Sequence, residues 1–208
     1  MKRFLFAIIA LFMACTVNAQ DVGALFTAMP DELLPQLASA TRKNLVEQFK
    51  GSKEATAQNT MNGDVKLEAL TDNFLQLQVS EVSQIQIKLL PLINNSYIIC
   101  MVNTVKGPTA DSRIDFYTTD WKPIEASSLF TPVKGDAFIK PANGDNFKRD
   151  EALTKIDIDL IEYSLKADDT TLTVTYRTPD YLSQEDRDAV MPFIKEPIVM
   201  KWNKNRFE

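Results

Sequence analysis

Few residues in this chain could do catalytic chemistry, because the sequence contains no histidine and only two cysteines. Without an imidazole, neither a Ser–His–Asp site nor a Cys–His site can be built. Zinc sites made from imidazole and thiolate ligands are excluded for the same reason. No Ser-x-x-Lys pair, Gly-x-Ser-x-Gly nucleophile elbow or glycine-rich phosphate loop occurs. The sequence therefore predicts no catalytic residue, no metal and no cofactor.

Carboxylates are the remaining group that could act as general acid and base. Asp157, Asp159 and Glu162 lie close together along the chain. Glycoside hydrolysis needs two carboxylates that face each other across a cleft, whereas residues 157 and 159 would be neighbours on one face of a strand. We interpret them as part of a polar sheet face, and a carbohydrate-active enzyme stays a weak alternative.

Two sets of side chains are candidates for a binding surface. Gln76 and Gln78 alternate with apolar residues in one run, and Gln84 and Gln86 do so in the next. Their spacing allows all four amides to share one face of a sheet, where they could bind a glycan or a protein partner. Tyr117 and Trp121 bracket a tight corner, where the two rings either stack on a ligand or seal the edge of a core. We include both aromatic residues in the candidate surface.

The N-terminal segment reads as a secretory signal peptide. Residues 1–3 are Met-Lys-Arg, residues 4–14 are almost wholly apolar, and Val17-Asn18-Ala19 offers a small-x-small cleavage site before Gln20. The apolar run is shorter than the roughly 20 residues that span a bilayer. We expect a signal peptide over 1–19 and an exported protein, in the periplasm or at the cell surface, with no transmembrane segment after cleavage. Acylation at Cys15, as in a lipoprotein, is the alternative.

Charge and cysteine usage restrict the partners. The chain carries 23 basic and 28 acidic residues, and its net charge of −5 argues against binding nucleic acid or an anionic membrane surface. After loss of the signal peptide Cys100 is the single cysteine, so no internal disulfide can form. It lies in an apolar run and is predicted to be a buried, unreactive side chain.

The elements that must position these residues follow from two periodicities. Apolar residues three and four apart predict a helical turn at 31–36 and a helix over 39–50. From residue 63 the period changes to two, which is typical of an antiparallel sheet with one wet face. Predicted strands lie at 65–68, 75–79, 84–89, 97–105, 113–118 and 121–124, and the apolar 97–105 strand is expected to be central and covered on both faces.

The C-terminal third begins with an irregular stretch at 127–150, which would be a binding loop or a seam between two lobes. A hairpin follows, with strands at 156–166 and 170–177, and then a short helix over 184–191 and a last strand at 197–202. We predict a single α+β domain over 20–208. Its mainly antiparallel meander sheet packs against N-terminal helices, followed by the hairpin, the short helix and the last strand.

Several short segments are similar to a known family. They are Phe26-Thr27-Ala28-Met29-Pro30, Arg42-Lys43-Asn44-Leu45, Lys88-Leu89-Leu90-Pro91-Leu92, Asp111 to Tyr117, and Val199-Met200-Lys201-Trp202-Asn203. Together they resemble a family of secreted Bacteroidetes proteins that is classed only as a domain of unknown function. The resemblance implies a location in the cell envelope and brings no catalytic residues. Asp169-Thr170-Thr171 also fits the acceptor pattern for protein O-glycosylation in Bacteroidetes, with Thr170 as the modified residue.

These observations predict a non-catalytic, exported envelope protein that acts as a binding or interaction module. Its partner would be an envelope protein or a glycan, recognised through the sheet face and the segment 127–150. A carrier of a lipid or another apolar ligand is the main alternative, and it would need an apolar cavity of a few hundred Å³.

Overall fold

The protein was analysed as a computed structural model, which describes residues 21–142 and 146–208. The signal peptide predicted over 1–19 and Cys15 lie outside these residues. The helices are α1 (Val22–Ala28), α2 (Ser39–Ser52), α3 (Phe147–Leu153), α4 (Thr178–Tyr181) and α5 (Gln184–Val190). The strands are β1 (Ala55–Gln58), β2 (Asp64–Leu70), β3 (Phe74–Ser80), β4 (Ser83–Pro91), β5 (Tyr97–Lys106), β6 (Ala110–Thr118), β7 (Pro123–Ile124), β8 (Ile161–Leu165), β9 (Thr171–Tyr176) and β10 (Ile198–Lys201).

The first seven strands form one antiparallel sheet in which each strand pairs with its neighbours in sequence. This meander follows from the period-two pattern, because each run of alternating residues is joined to the next by a short turn. Strands β8 to β10 form a second antiparallel sheet in the order β10-β9-β8. The predicted α+β fold, with its meander and C-terminal hairpin, is confirmed.

One face of the seven-stranded sheet is covered by α1 and α2. Their apolar side chains pack on residues such as Leu75, Ile87 and Ile99, and we call this cluster the helix-side core. Arg42 of α2 is fully buried beside it. Its guanidinium donates to the carbonyl oxygens of Met29 and Leu37, so it fixes the chain between the two helices.

The opposite face is covered by the second sheet and the segments around it. Phe74, Cys100 and Phe116 of the large sheet pack there against the second sheet, in a cluster that we call the sheet-side core. Because β4 and β5 contribute to both cores, they are buried on both faces over most of their length. This agrees with the expectation for strand 97–105. Burial raises the pKa of Cys100, which keeps its thiol protonated.

Side chains of the large sheet satisfy the backbone of β8 and of the turn after it. The Leu165 N–H donates to Gln86 Oε1 at 2.9 Å, and the Ile161 N–H donates to Asp111 Oδ1 at 3.1 Å. Lys88 Nζ donates to the carbonyl oxygen of Ala167 at 2.9 Å. Strand β8 pairs with a strand on one side only, and these bonds satisfy backbone groups on its other edge and in the following turn. Burial lowers the pKa of Lys88, and the nearby Asp169 and Asp168 oppose that shift.

The segment 127–150 packs against the body of the protein at several points. Phe130 and Phe138 are buried in the sheet-side core. The Gly135 N–H donates to Asp159 Oδ2 at 3.1 Å, and a Cβ at this glycine would lie 2.0 Å from Asp159 Oδ1. Only glycine allows this close approach. The segment also contributes the start of α3, which the sequence pattern did not predict.

Other differences from the expected elements are local. The structure adds α1, β1 and α4, and the strand predicted over 156–166 begins only at Ile161. The helix expected over 39–50 continues to Ser52, where Lys53 ends it in the left-handed conformation with φ 63°.

Candidate binding surface

The four glutamines share one face of the seven-stranded sheet. Gln76 of β3 lies directly opposite Gln86 of β4, and Gln78 lies opposite Gln84. Residues that alternate with them, such as Leu77 and Ile85, enter the helix-side core on the other face. The glutamines therefore lie on the face that the second sheet partly covers.

Two of these glutamines are engaged within the protein. Gln86 is only 8% exposed and bonds both backbone groups of Leu165. Its Nε2 also donates to Gln76 Oε1 at 2.8 Å, and Gln76 Nε2 donates to Glu68 Oε2 at 2.8 Å. Gln86 thus holds the two sheets together, which corrects its assignment to an exposed binding surface.

The other two glutamines belong to a polar row that crosses five strands in register. The row consists of Lys66, Gln78, Gln84, Thr104 and Ser112, and we call it the outer row. Within residues 21–142 and 146–208, the amides of Gln78 and Gln84 make no hydrogen bond, and both side chains are half-buried. The sheet fixes the backbone positions of both glutamines, and the donors and acceptors of their amides remain available to a ligand.

A groove of about 580 Å³ lies beside the outer row, over β1, β2 and β3. Its polar lining comes from Thr56, Gln58, Asp64, Lys66, Gln78 and Glu81. Its size is within the range of small-molecule sites. Amides, a hydroxyl and a few charges can recognise sugar hydroxyls or peptide groups, and the lining offers no activated nucleophile.

Tyr117 and Trp121 do not belong to this surface. They are 7% and 6% exposed and lie in the helix-side core, on the face opposite the glutamines. Their ring centroids are 5.5 Å apart, and Trp121 Nε1 donates to the carbonyl oxygen of Leu25 at 3.0 Å. Burial raises the pKa of Tyr117. The two rings seal the edge of a core, so their inclusion in the candidate surface was wrong.

Two of the three carboxylates considered for acid–base chemistry, Asp159 and Glu162, have partners within the protein. Asp159 accepts from the Gly135 N–H and, at 3.1 Å, from the Tyr176 hydroxyl. Glu162 accepts from Arg177 Nε at 2.8 Å. Because these bonds fix backbone and side chains around the second sheet, both carboxylates have structural roles.

Thr170 lies in the turn between β8 and β9, where it is half-buried. Its carbonyl oxygen accepts from the Trp202 N–H at 3.1 Å. The neighbouring Asp169 accepts from both the N–H and the hydroxyl of Thr171. Glycosylation of Thr170 stays a prediction.

Several neighbours of the glutamines were not predicted from the sequence. Thr56 and Gln58 lie on β1, while Thr104 and Ser112 lie on β5 and β6, with the two hydroxyls 2.8 Å apart. Asp111, Ser112 and Arg113 are all polar, so alternation within β6 gave no signal for Ser112. The pairing of strands, which brings these residues into one row, could not be read from any single run.

Two other kinds of site are absent from residues 21–142 and 146–208. None of the helices in this part of the chain is long and apolar enough to cross a membrane. Among the same residues, no group of three or more acidic or cysteine side chains is arranged to hold a metal ion.

Comparisons with known proteins identify the family but no activity. The chain is similar to the solved structure of a domain of an uncharacterized protein from Porphyromonas gingivalis W83, with 27% identity and a TM-score of 0.79. The similarity covers 90% of this chain and 98% of that one. No curated protein matches the sequence. Residues 14–207 match the family described as protein of unknown function DUF3256, and the chain belongs to this family.

Proposed function

We propose that the protein is a non-catalytic component of the cell envelope that binds a glycan or another envelope protein. The binding site is the groove over β1 to β3 together with Gln78 and Gln84 of the outer row. Export through a signal peptide over 1–19, to the periplasm or the cell surface, is part of the proposal. It is supported by the N-terminal sequence pattern and by the resemblance to secreted Bacteroidetes proteins.

The observation that carries this proposal is the pair of uncommitted amides on a rigid sheet. An amide without a partner gains from a ligand that offers matching donors and acceptors, since each net hydrogen bond contributes about 1 kcal/mol. The sheet holds the backbones of Gln78 and Gln84 directly opposite each other, so binding has to order only the two side chains. A series of sugar hydroxyls or peptide groups is complementary to this row.

The absence of catalysis is also a proposal, supported by the roles of the acidic residues. Two of the three carboxylates considered for acid–base chemistry, Asp159 and Glu162, are bonded to Gly135, Tyr176 and Arg177. The groove carries Asp64 and Glu81 beside Lys66, without a buried acid to serve as a proton donor.

Affinity capture from the native envelope tests the proposed site. The mature protein and the variant Gln78→Ala/Gln84→Ala would be used as baits, and native mass spectrometry would identify what is bound. We expect the wild type to retain a glycan or an envelope protein in fixed stoichiometry. The double variant should retain at most about a tenth of that amount.

Gln184→Ala is the matched control, because Gln184 is an exposed glutamine on α5 whose amide donates to Asp188. This variant should bind as the wild type does. Equal retention by the double variant would show that the outer row is not the site. Intact mass of the protein from the native envelope, starting at Gln20, would test the predicted cleavage.

A second candidate function is carriage of an apolar ligand, because a cleft of about 550 Å³ lies between α3 and α5. Its apolar lining comes from Ala152, Ala189, Pro192 and Phe193, and the other lining residues are charged, with Glu151 and Lys155 among them. Recovery of a stoichiometric lipid with no protein or glycan partner would favour this function and would refute the first.

A further inference from the structure

A second pocket, separate from the groove, lies where β9 ends and β10 approaches. It has a volume of about 280 Å³ and is lined by four cationic side chains: Lys140, Arg177, Arg187 and Lys195. Only two carboxylates, Asp180 and Glu196, line the same pocket. A cationic pocket is unexpected in a chain whose net charge is −5.

One carboxylate holds the two arginines side by side. Asp180 Oδ2 accepts from Arg177 Nη1 at 3.2 Å, and Asp180 Oδ1 lies 2.9 Å from Arg187 Nη2. Glu162, which does not line the pocket, binds Arg177 through Nε and Nη2 at 2.8 and 2.6 Å. A guanidinium has five N–H donors, so both arginines keep donors for a further anion.

The two lysines approach from a pair of antiparallel segments. Ile139 and Ile194 form an isolated bridge, and the Lys140 N–H donates to the Phe193 carbonyl while the Lys195 N–H donates to the Phe138 carbonyl. Each ammonium also donates to one carbonyl oxygen, Pro192 O for Lys140 and Ala137 O for Lys195, both at 2.8 Å. The ammonium groups are therefore oriented, and each retains two N–H donors.

The charges around the pocket are not balanced by the described residues. Four cationic and two anionic side chains line the pocket. The net charge stays positive when Glu162, which pairs with Arg177 from outside the pocket, is included. Neighbouring like charges repel each other, and an anion placed among them gains charge-assisted hydrogen bonds. Tyr176, Ile194 and Pro197 add apolar wall, and the volume exceeds what an inorganic oxyanion fills.

We infer that this pocket binds a small organic anion, with a carboxylate or phosphate head held by the arginines and lysines and a body about the size of one sugar ring. The site is independent of the outer row, so its failure would leave the proposed function untouched. The shared chemistry of the ligand is an oxyanion on a compact polar body.

Calorimetric titration of the mature protein at low salt tests this inference with four probes: glucuronate, glucose 6-phosphate, glucose and inorganic phosphate. We expect at least one of the two sugar anions to bind at least tenfold more tightly than both glucose and inorganic phosphate. The tighter of the two sugar anions identifies the head group as carboxylate or phosphate.

Variants locate the binding at the pocket. Arg187→Gln and Lys195→Gln should each weaken the sugar anion at least tenfold. Arg113→Gln and Lys106→Gln are the matched controls, because Arg113 is an exposed, ion-paired arginine and Lys106 an exposed lysine, both on the large sheet. The controls should bind as the wild type does.

Three results would overturn the inference. The first is no binding of either sugar anion, and the second is binding that both pocket variants leave unchanged. The third is equal affinity for inorganic phosphate and the sugar anions, which would show that the pocket does not recognise an organic body. Circular dichroism of each variant confirms that lost binding is not lost folding.

Discussion

Gln84 and Gln86 are the same residue type on the same strand and face, yet their side chains have different hydrogen-bonding partners. Gln86 bonds the backbone of Leu165 across the interface between the two sheets, while the amide of Gln84 has no partner among the described residues. The alternating sequence predicted that both would face the same way. It could not predict which would be covered, because the covering strand lies 79 residues further along the chain.

This difference predicts unequal effects of truncation. Gln86→Ala leaves the buried N–H and carbonyl of Leu165 without partners, so we expect the free energy of unfolding to fall by about 2–3 kcal/mol. Gln84→Ala should change it by less than about 0.5 kcal/mol. Urea denaturation of both variants measures these changes, and equal losses would mean that the Gln86 bonds do not join the sheets.

Trp121 shows why the two aromatic residues were wrongly assigned to the binding surface. It adopts φ 61° at the corner before β7, a left-handed conformation that costs an L-residue about 1–2 kcal/mol. Burial of its ring against Tyr117 and the bond to Leu25 offset this cost. The sequence marks the corner with Thr119-Asp120, but it does not show that the corner turns the ring toward α1.

At the scale of elements, segments with strong periodicity were predicted from the sequence. Segments that are short or rich in small residues were missed. Strands β3 and β4 alternate large apolar and polar residues, and β5 is an almost continuous apolar run. Each of these three strands lies within a few residues of its expected place. The missed elements lack this signal: β1 reads Ala-Thr-Ala-Gln, and α1 contains Gly23 and Ala24. Tertiary contacts decide such segments, because their intrinsic preference is weak.

The packing of segment 127–150 on the second sheet can be tested through its glycine. Gly135→Ala would place a methyl group 2.0 Å from Asp159 Oδ1 and 2.9 Å from the Tyr176 hydroxyl. The resulting shift should break the hydrogen bonds to Asp159 and lower the free energy of unfolding by about 1–3 kcal/mol.

Gly51→Ala is the control for this variant. Nothing lies within 4 Å of a Cβ at this position in α2, so the substitution should stabilise the helix by about 0.5–1 kcal/mol. Chemical denaturation of both variants gives the comparison. A Gly135 variant as stable as the wild type would show that the segment does not depend on this close approach.

For the whole molecule, buried tyrosines in both cores predict loss of stability at alkaline pH. Burial raises the pKa of Tyr176 from 10.0 to about 12, and it also raises those of Tyr117 and Tyr163. The unfolded chain would release these protons near pH 10, before the folded chain does. The stability that these tyrosines contribute is therefore fully present below pH 10 and is lost between pH 10 and about 12.

Urea midpoints measured between pH 8 and pH 12 would follow this loss, to which Tyr176 contributes about 2 kcal/mol. Burial lowers the pKa of Lys88, so the unfolded chain binds this proton more tightly than the folded chain does. Lys88 therefore makes the free energy of unfolding rise with pH up to its ordinary pKa of 10.5. Tyr176→Phe should be less stable than the wild type at pH 8, because the bond to Asp159 is lost, and should decline less steeply above pH 10. An unchanged slope would contradict the role given to Tyr176.

The burial of β4 and β5 on both faces affects how the polypeptide can be divided. A fragment ending after Ile124 would contain the entire meander and its helices, yet Phe74, Cys100 and Phe116 would face water. An exposed apolar face on an extended sheet is a self-association hazard. Recombinant production of the meander alone should therefore give insoluble material, and the C-terminal segments serve the first part of the chain as its solubilising cover.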